Sequence, residues 1–396
     1  MANKNGSQDH KLENILIKII DNRGKTPPFT TEGVELIETT SLTGANKYPD
    51  YSLVNKYVNQ ETFDTWFRAG HPETDDILFA TVGANIGSCA IMKEPRGCVA
   101  QNLVGLRVNA KTTDPNYLYY YLSSEQTQKK LKSLDIGAAQ PSIKVPHLLS
   151  ISIPLPPLPI QRRIASILSA YDDLIENNMR RIKILEEMAR SLYREWFVNF
   201  RFPGYEKVKM VNSEMGSIPE GWEQKKVGDI LALNYGKALK KEDRCDGEFP
   251  VFGSSGIVGT HNISMVKGPG VIVGRKGNVG SVFWCNEDFF VIDTAYFVRS
   301  ALPLRFLFYV LPTLNFINSD AAVPGLSRNQ AYSLTVQVPP TVLLEMFCKY
   351  ADAFERQVSA IQRQINNLRS SRDMLLPRLL SGRENVSEDA HAKVIA

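Results

Sequence analysis

One repeat sets the terms for anything this chain can fold into. Residues 138–157 (AAQPSIKVPHLLSISIPLPP) align without a gap to residues 321–340 (AAVPGLSRNQAYSLTVQVPP), an offset of 183. Ala138-Ala139 match Ala321-Ala322, Pro141 matches Pro324, Ser150-Ile151 match Ser333-Leu334, and Pro156-Pro157 match Pro339-Pro340. Proline cannot continue a ladder or a helix interior, so each copy reads as a short strand closed by its prolines. After the first copy, seam positions recur at alternating spacings of four and three: Ile164, Leu168, Tyr171, Ile175, Asn178, Ile182, Leu185, Ala189, Leu192 and Trp196. Adding 183 gives Phe347, Ala351, Phe354, Val358, Ile361, Ile365, Leu368, Arg372, Leu375 and Leu379. A sustained 3.5-residue period makes a helix with a narrow seam that seeks a partner helix. Each helix runs about 35–40 residues, roughly 55 Å at 1.5 Å per residue. Two such seams in one chain pair most simply with each other. Asn178 is the amide in the first seam, a residue type that fixes register at a cost in stability.

A second, weaker repeat lies inside the globular parts. ILFATVGANIGSCAI (77–91) resembles VIVGRKGNVGSVFW (271–284), with Asn85-Ile86-Gly87-Ser88 on Asn278-Val279-Gly280-Ser281. Both read as strand, glycine-rich turn, strand. The fold class is therefore α+β, with two similar globular α/β modules separated by two long helices. The expected divisions are a first module at 1–157, a long helix at 158–200, and a Pro/Gly-punctuated linker at 201–222. A second module follows at 223–340, a second helix at 341–380, and a polar tail at 381–396.

Composition excludes several classes. Apolar residues make up 43% and charged residues 22% of the 396, so the chain can bury a core. No apolar run approaches the roughly 18 residues of a membrane span, and the opening MANKNGSQDH has no signal-peptide core. The five cysteines form no CxxC pair and leave one over, which fits a reducing cytoplasm rather than a disulfide framework. Gly24-Lys25-Thr26 lacks the glycine that a phosphate loop needs at position 19, and reads as a surface turn. Gly274, Gly277 and Gly280 do not have the dinucleotide spacing. The five histidines show no metal-ligand spacing, and there is no nucleophile elbow. Asp75-Asp76 falls in a turn, and Asp172-Asp173 is expected on the solvated side of the first helix. No catalytic constellation emerges.

What remains is polar and basic chemistry on turns. The net charge of +4 decides nothing, but residues 225–276 carry nine basic residues against five acidic ones. The candidate binding set of the second module is Lys237, Lys240, Lys241, Ser254, Ser255, His261, Asn262, Arg275, Lys276, Asn278 and Arg328. Such side chains could grip phosphates and read base edges. The comparable set in the first module is Arg23, Lys25, Thr39, Thr40, Ser41, Asn46, Lys47, Asn85 and Ser88. A solvated charged surface would account for either set equally well.

The chain as a whole resembles the DNA specificity subunits of type I restriction–modification systems. The resemblance spans residues 11–380 and is strongest in PLPPLPIQRRIASILSAYDDLIENNMRRIKILEEMARSLYREWFVNFRFPG (154–204), followed by GSIPEGW (216–222). FPVFGSSGIVGTH (249–261) and GVIVGRKGNVGSVFW (270–284) are similar to a recurrent segment of that family's recognition domains. The second helix departs from the first: it lacks the Pro159-Ile160-Gln161-Arg162 opening and carries Arg372 in its seam. The resemblance implies two target-recognition domains, each reading half of a split double-stranded DNA site, and two helices that set the spacing and dock two methyltransferase subunits. It implies no cofactor on this chain. S-adenosylmethionine would belong to the methyltransferase subunits, and ATP with Mg to the restriction (translocase) subunits. Two related modules on one duplex match its dyad through a pseudo-two-fold axis, which would make the helices an antiparallel coiled coil. A tandem protein-interaction scaffold on a coiled-coil spine is the alternative, and steep salt dependence of binding would discriminate against it.

Overall fold

The computed structural model describes residues 6–42, 46–133, 141–213, 216–316 and 325–383. Ala138-Ala139, Ala321-Ala322 and Pro324 of the repeat lie outside these, as does the tail from residue 384. The chain divides into two compact units, residues 1–179 with 363–396, and residues 180–362.

The first unit contains β1 (Gln8–Lys11), β2 (Leu16–Ile20), β3 (Val34–Ile37), β4 (Tyr57–Val58), α1 (Gln60–Trp66), β5 (Ile77–Ala80), β6 (Cys89–Ile91), β7 (Cys98–Val99) and β8 (Leu103–Val108). Helices α2 (Pro115–Ser123), α3 (Glu125–Lys132) and α4 (Val145–Leu149) follow, then β9 (Ser152–Leu155) and the start of α5 (Leu158–Tyr193). An antiparallel sheet runs β2-β8-β5-β6, a second sheet runs β4-β3-β7 with β3 and β7 parallel, and β1 pairs with β9. The run Ile77–Ala80 is apolar throughout and wholly buried, as a central strand requires. Helix α2 starts where Asp114 accepts from the Tyr117 N–H with Pro115 at the first position, and Ser124 caps α3 in the same way.

The second unit takes up the rest of α5, which closes in a π-turn at Arg194–Val198. A hairpin of β10 (Met210–Ser213) and β11 (Gly216–Pro219) follows, then β12 (Glu223–Lys226), α6 (Val227–Ile230) and β13 (Leu231–Tyr235). Next come β14 (Phe249–Gly253), β15 (Gly256–His261), β16 (Gly270–Gly274), β17 (Val282–Cys285), β18 (Phe290–Val291) and β19 (Ala295–Ser300). The unit ends with α7 (Leu304–Val310), α8 (Arg328–Ser333), β20 (Thr335–Val338) and the first part of α9 (Thr341–Leu380). Its sheets are ordered β13-β19-β16-β17 and β15-β14-β18, with β14 and β18 parallel and β12 paired to β20. Strand for strand, this is the topology of the first module. The two α/β modules are one fold used twice.

Every one of the twenty seam positions is buried or half-buried. In the first unit the start of α5 meets the end of α9: Ile164 and Leu168 share a core with Leu379 and Leu375. In the second unit the end of α5 meets the start of α9, where the Trp196 ring lies 6.2 Å from Phe347 and 5.9 Å from Tyr350. The pair is an antiparallel coiled coil. Arg372 occupies its seam position by forming an ion pair, and its partner is Asp172. The expectation that Asp172 faces solvent is thereby corrected: it is 6% exposed, while its neighbour Asp173 is exposed. The 201–222 segment is also more than a connector, since Phe202, Ile218 and Trp222 are buried in one core with Tyr193, Trp196 and Phe347.

Candidate nucleic-acid interface

In the second module the β16–β17 turn is built by hydrogen bonds that leave its side chains on the outside. Gly274 N–H donates to Ser281 O (2.7 Å) and Gly280 N–H to Gly274 O (2.9 Å). Gly277 and Gly280 adopt φ of 80° and 77°, the left-handed region where glycine carries no steric cost. Ser281 Oγ donates to Ser254 O (2.6 Å), and Asn278 Nδ2 donates to Ser255 Oγ (3.2 Å), which ties this turn to the β14–β15 turn. Arg275 N–H donates to Thr294 O, and Leu326 N–H donates to Arg275 O, so its backbone is pinned from both sides.

The Arg275 guanidinium donates from Nη1 to Asp293 O (3.0 Å) and stands 4.9 Å from the centre of the Tyr235 ring. Arg328, the first residue of α8, places its guanidinium 4.4 Å from the same ring. Tyr235 is 45% exposed. Sequence reasoning singled out both arginines but not the ring between them. The only hint was an aromatic residue beside a glycine-lysine pair.

The other candidates of this module divide. Lys237, Lys240, Lys241 and Asn262 are exposed. Lys276 joins Gly325 by a backbone bridge and keeps its half-buried side chain outside any ion pair among the described residues. Ser254 is mostly buried and serves the turn through its backbone. His261 is 8% exposed and its Nδ1 accepts from Cys245 N–H (3.2 Å), so the structure places it under the surface rather than on it.

The first module assembles its loops by the same contacts. Thr81 N–H donates to Asn102 O and Ile143 N–H to Thr81 O, so Thr81 takes the place of Arg275. Thr81 is fully buried and carries no charge. Asn85 Nδ2 donates to Thr39 O (3.1 Å), bringing Asn85, Thr39 and the exposed Thr40 together. Ser88 lies half-buried at the foot of that turn. Gln101, at a φ of 45° unusual for a side-chain-bearing residue, hydrogen-bonds Thr26 beside the exposed Lys25. Arg23 is held by Asp21 (2.7 Å), and Arg68 donates to Arg23 O. That pairing keeps the Asp21 carboxyl below its ordinary pKa. Gln101, Thr26 and Arg68 were not anticipated.

Two first-module candidates fall away from this surface, while Asn46 is half-buried. Ser41 is 1% exposed. Lys47 is buried too, and its Nζ donates to Ser169 Oγ of α5 (2.9 Å). Burial pushes the Lys47 ammonium below its ordinary pKa, with Asp172 and Asp173 opposing the shift. Among the described residues no cluster of His, Cys, Asp and Glu could hold a metal ion, and no helix is long and apolar enough to cross a membrane.

A fold duplicated within one chain, with amide, hydroxyl and cationic side chains on its turns, defines a tandem-module protein with two separate candidate surfaces. The family profile for the type I restriction modification DNA specificity domain matches twice, at residues 22–187 and 219–367. The chain belongs to that family. It is 27% identical over 306 residues to the type I restriction enzyme MjaIX specificity subunit of Methanocaldococcus jannaschii, covering 69% of each chain. The MjaVIII specificity subunit of the same organism is 32% identical over 172 residues, 43% of this chain and 39% of that one. The crystal structure of the S subunit from M. genitalium superposes with a TM-score of 0.54 at 18% identity, over 94% of this chain and 96% of that one. The role of the present chain is DNA sequence specificity, as a non-catalytic targeting component of a type I system.

Proposed function

We propose that each globular module, residues 1–157 and 223–340, reads one half of a bipartite double-stranded DNA site. The observation that carries this reading is one topology presented twice with different side chains at equivalent turn positions, Thr81 against Arg275 above all. Equivalent scaffolds with unequal contacts suit two unlike half-sites. In the first module Lys25, Thr40, Asn85 and Gln101 contact the duplex. In the second, Arg275, Lys276, Asn278, Arg328 and the exposed lysines 237, 240 and 241 do so. The paired helices dock two methyltransferase subunits that supply S-adenosylmethionine, and restriction subunits that use ATP and Mg join for cleavage, all in the cytoplasm.

Mapping the methylated adenines in DNA modified by this chain with its methyltransferase partner tests the proposal. The expected product is a single split sequence. Replacing residues 1–150 by the corresponding part of another such subunit should change one half and leave the other. If both halves change together, the division of labour is wrong.

A further inference from the structure

We propose that Tyr235, Arg275 and Arg328 form a guanine-reading element in the second module, with the two arginines as specificity-determining residues and Tyr235 as the residue that positions both. The inference rests on the reading that the second module contacts DNA, and it names the base that module selects.

Arg23, Arg96, Arg107, Arg201, Arg305 and Arg372 all meet carboxylates. Arg275 and Arg328 meet none among the described residues, and share an aromatic ring instead. A guanidinium stacked on a ring keeps its in-plane donors available while its plane is held. Arg275 donates to Asp293 O and also meets the Tyr296 side chain, contacts that fix the rotation of the fork. Arg328 has no hydrogen-bond or ion-pair partner among the described residues. Tyr235 itself is half out of the core, packed on Tyr296 at 5.1 Å, so its exposed part is not explained by burial.

A fork with a fixed plane suits a planar acceptor pair. Guanine offers O6 and N7 side by side in the major groove, and bidentate arginine is the commonest contact to them. A phosphate would need only charge, which the exposed Lys237, Lys240 and Lys241 can provide without an oriented ring. In the first module the same place holds buried Thr81, so guanine reading of this kind is confined to the second half-site.

The test uses the full chain in complex with its methyltransferase partner, selecting from duplexes randomised across both half-sites at fixed salt. Arg275→Lys and Arg328→Lys keep the charge and lose the fork. Each should relax one guanine of the second half-site, reducing discrimination there by about 10- to 100-fold. The first half-site and the salt slope should stay as they were. Tyr235→Leu should relax both positions together, and Tyr235→Phe, which keeps the ring, should restore them. Retained first-half-site selection reports that each variant is folded. If Arg275→Ala and Arg328→Ala instead weaken all sequences alike and flatten the salt slope by about one unit each, the arginines hold phosphates and the guanine proposal is overturned while DNA reading by this module stands. If no variant alters affinity, selection or salt slope, both the proposal and the assignment of this surface to DNA fail.

Discussion

Arg372 of α9 donates from Nη1 to Asp172 Oδ1 of α5 at 2.5 Å, and the Tyr120 hydroxyl of α2 donates to the other oxygen of the same carboxylate. Lys47 reaches Ser169 one helical turn earlier. Adding the repeat offset of 183 to Asp172 and Ser169 gives Glu355 and Asp352, and both meet the buried Arg305 of α7, at 3.5 and 2.9 Å. Arg305 in turn sits over Trp284, 3.5 Å from its centre. The same two helix positions therefore meet the globular module in each repeat, through different side chains each time. In both, the attachment is polar, through hydrogen bonds from Tyr120 and Lys47 in the first unit and ion pairs from Arg305 in the second.

The Asp172–Arg372 pair is nearly out of water, with side chains 5% and 15% exposed. Removing one partner of a buried pair leaves the other uncompensated. Arg372→Met should therefore cost about 3–5 kcal/mol of stability. An Arg372→Met, Asp172→Leu double variant should recover at least half of that, because two apolar groups of similar bulk replace a desolvated pair. Denaturant unfolding of the four species gives the coupling directly. Equal costs for the single and the double variant would mean that the pair is incidental.

Lys47 separates charge by location from charge by count. Buried against Ser169, it is expected to make no phosphate contact, so Lys47→Met should leave the salt slope of DNA binding unchanged. The exposed Lys237, Lys240 and Lys241 should behave differently. Each of them that contacts a phosphate lowers the slope by about one unit when changed to alanine. Affinities at four salt concentrations suffice, and a smaller slope for Lys47→Met would return that residue to the interface.

How much of this was legible beforehand follows from which interactions are periodic. The helices were readable because a seam repeats every 3.5 residues, and the duplication because Pro156-Pro157 and Pro339-Pro340 punctuate both copies alike. The β5–β6 and β16–β17 hairpins were readable from their glycines. Asp172 was misread because its helical position looked solvated and its partner lies 200 residues away. Lys47, Ser41 and His261 were misread for a related reason: polar residues on loops were assigned to the surface, and only tertiary packing decides which loops are covered. The Tyr235 platform had only a faint sequence signal, an aromatic residue beside Gly236-Lys237. A lone aromatic at a strand end becomes a platform only when Arg275 and Arg328, 40 and 93 residues on, are folded onto it.

Cysteine reactivity offers a check on burial that is independent of DNA. Burial pushes the Cys89 and Cys98 thiols up to about 12 and Cys348 to about 11, and raises Cys285 as well. A thiol near 12 is ionised at pH 8 only to the order of 10⁻⁴, and the thiolate is the nucleophile. Cys245 is the exposed member of the five. Native protein should consume one equivalent of an alkylating reagent quickly and four more only after denaturant is added. Rapid loss of a second thiol from native protein would contradict the packing around β6, β7, β17 or Cys348 of α9.

The last expectation concerns Gly274, where β16 enters the turn that carries Arg275. A Cβ there would lie 2.1 Å from Asn278 O and 2.3 Å from Ser281 Oγ, and the first of these is backbone that cannot swing aside. Gly274→Ala must therefore open the turn, at a cost of about 1–3 kcal/mol for overpacking. Opening it breaks the Gly274–Ser281 and Gly280–Gly274 hydrogen bonds that hold Arg275 beside Tyr235. At Gly277 a Cβ would meet only Ser254 Oγ, at 3.4 Å, so the burden of Gly277→Ala is its φ of 80°. The two variants should thus separate. Gly274→Ala should lose selection in the second half-site while keeping the first, and Gly277→Ala should keep both with a modest loss of melting temperature. Duplexes carrying one cognate and one scrambled half-site measure the difference. If Gly274→Ala selects normally in the second half-site, the geometry of this turn is not what positions Arg275 on the DNA.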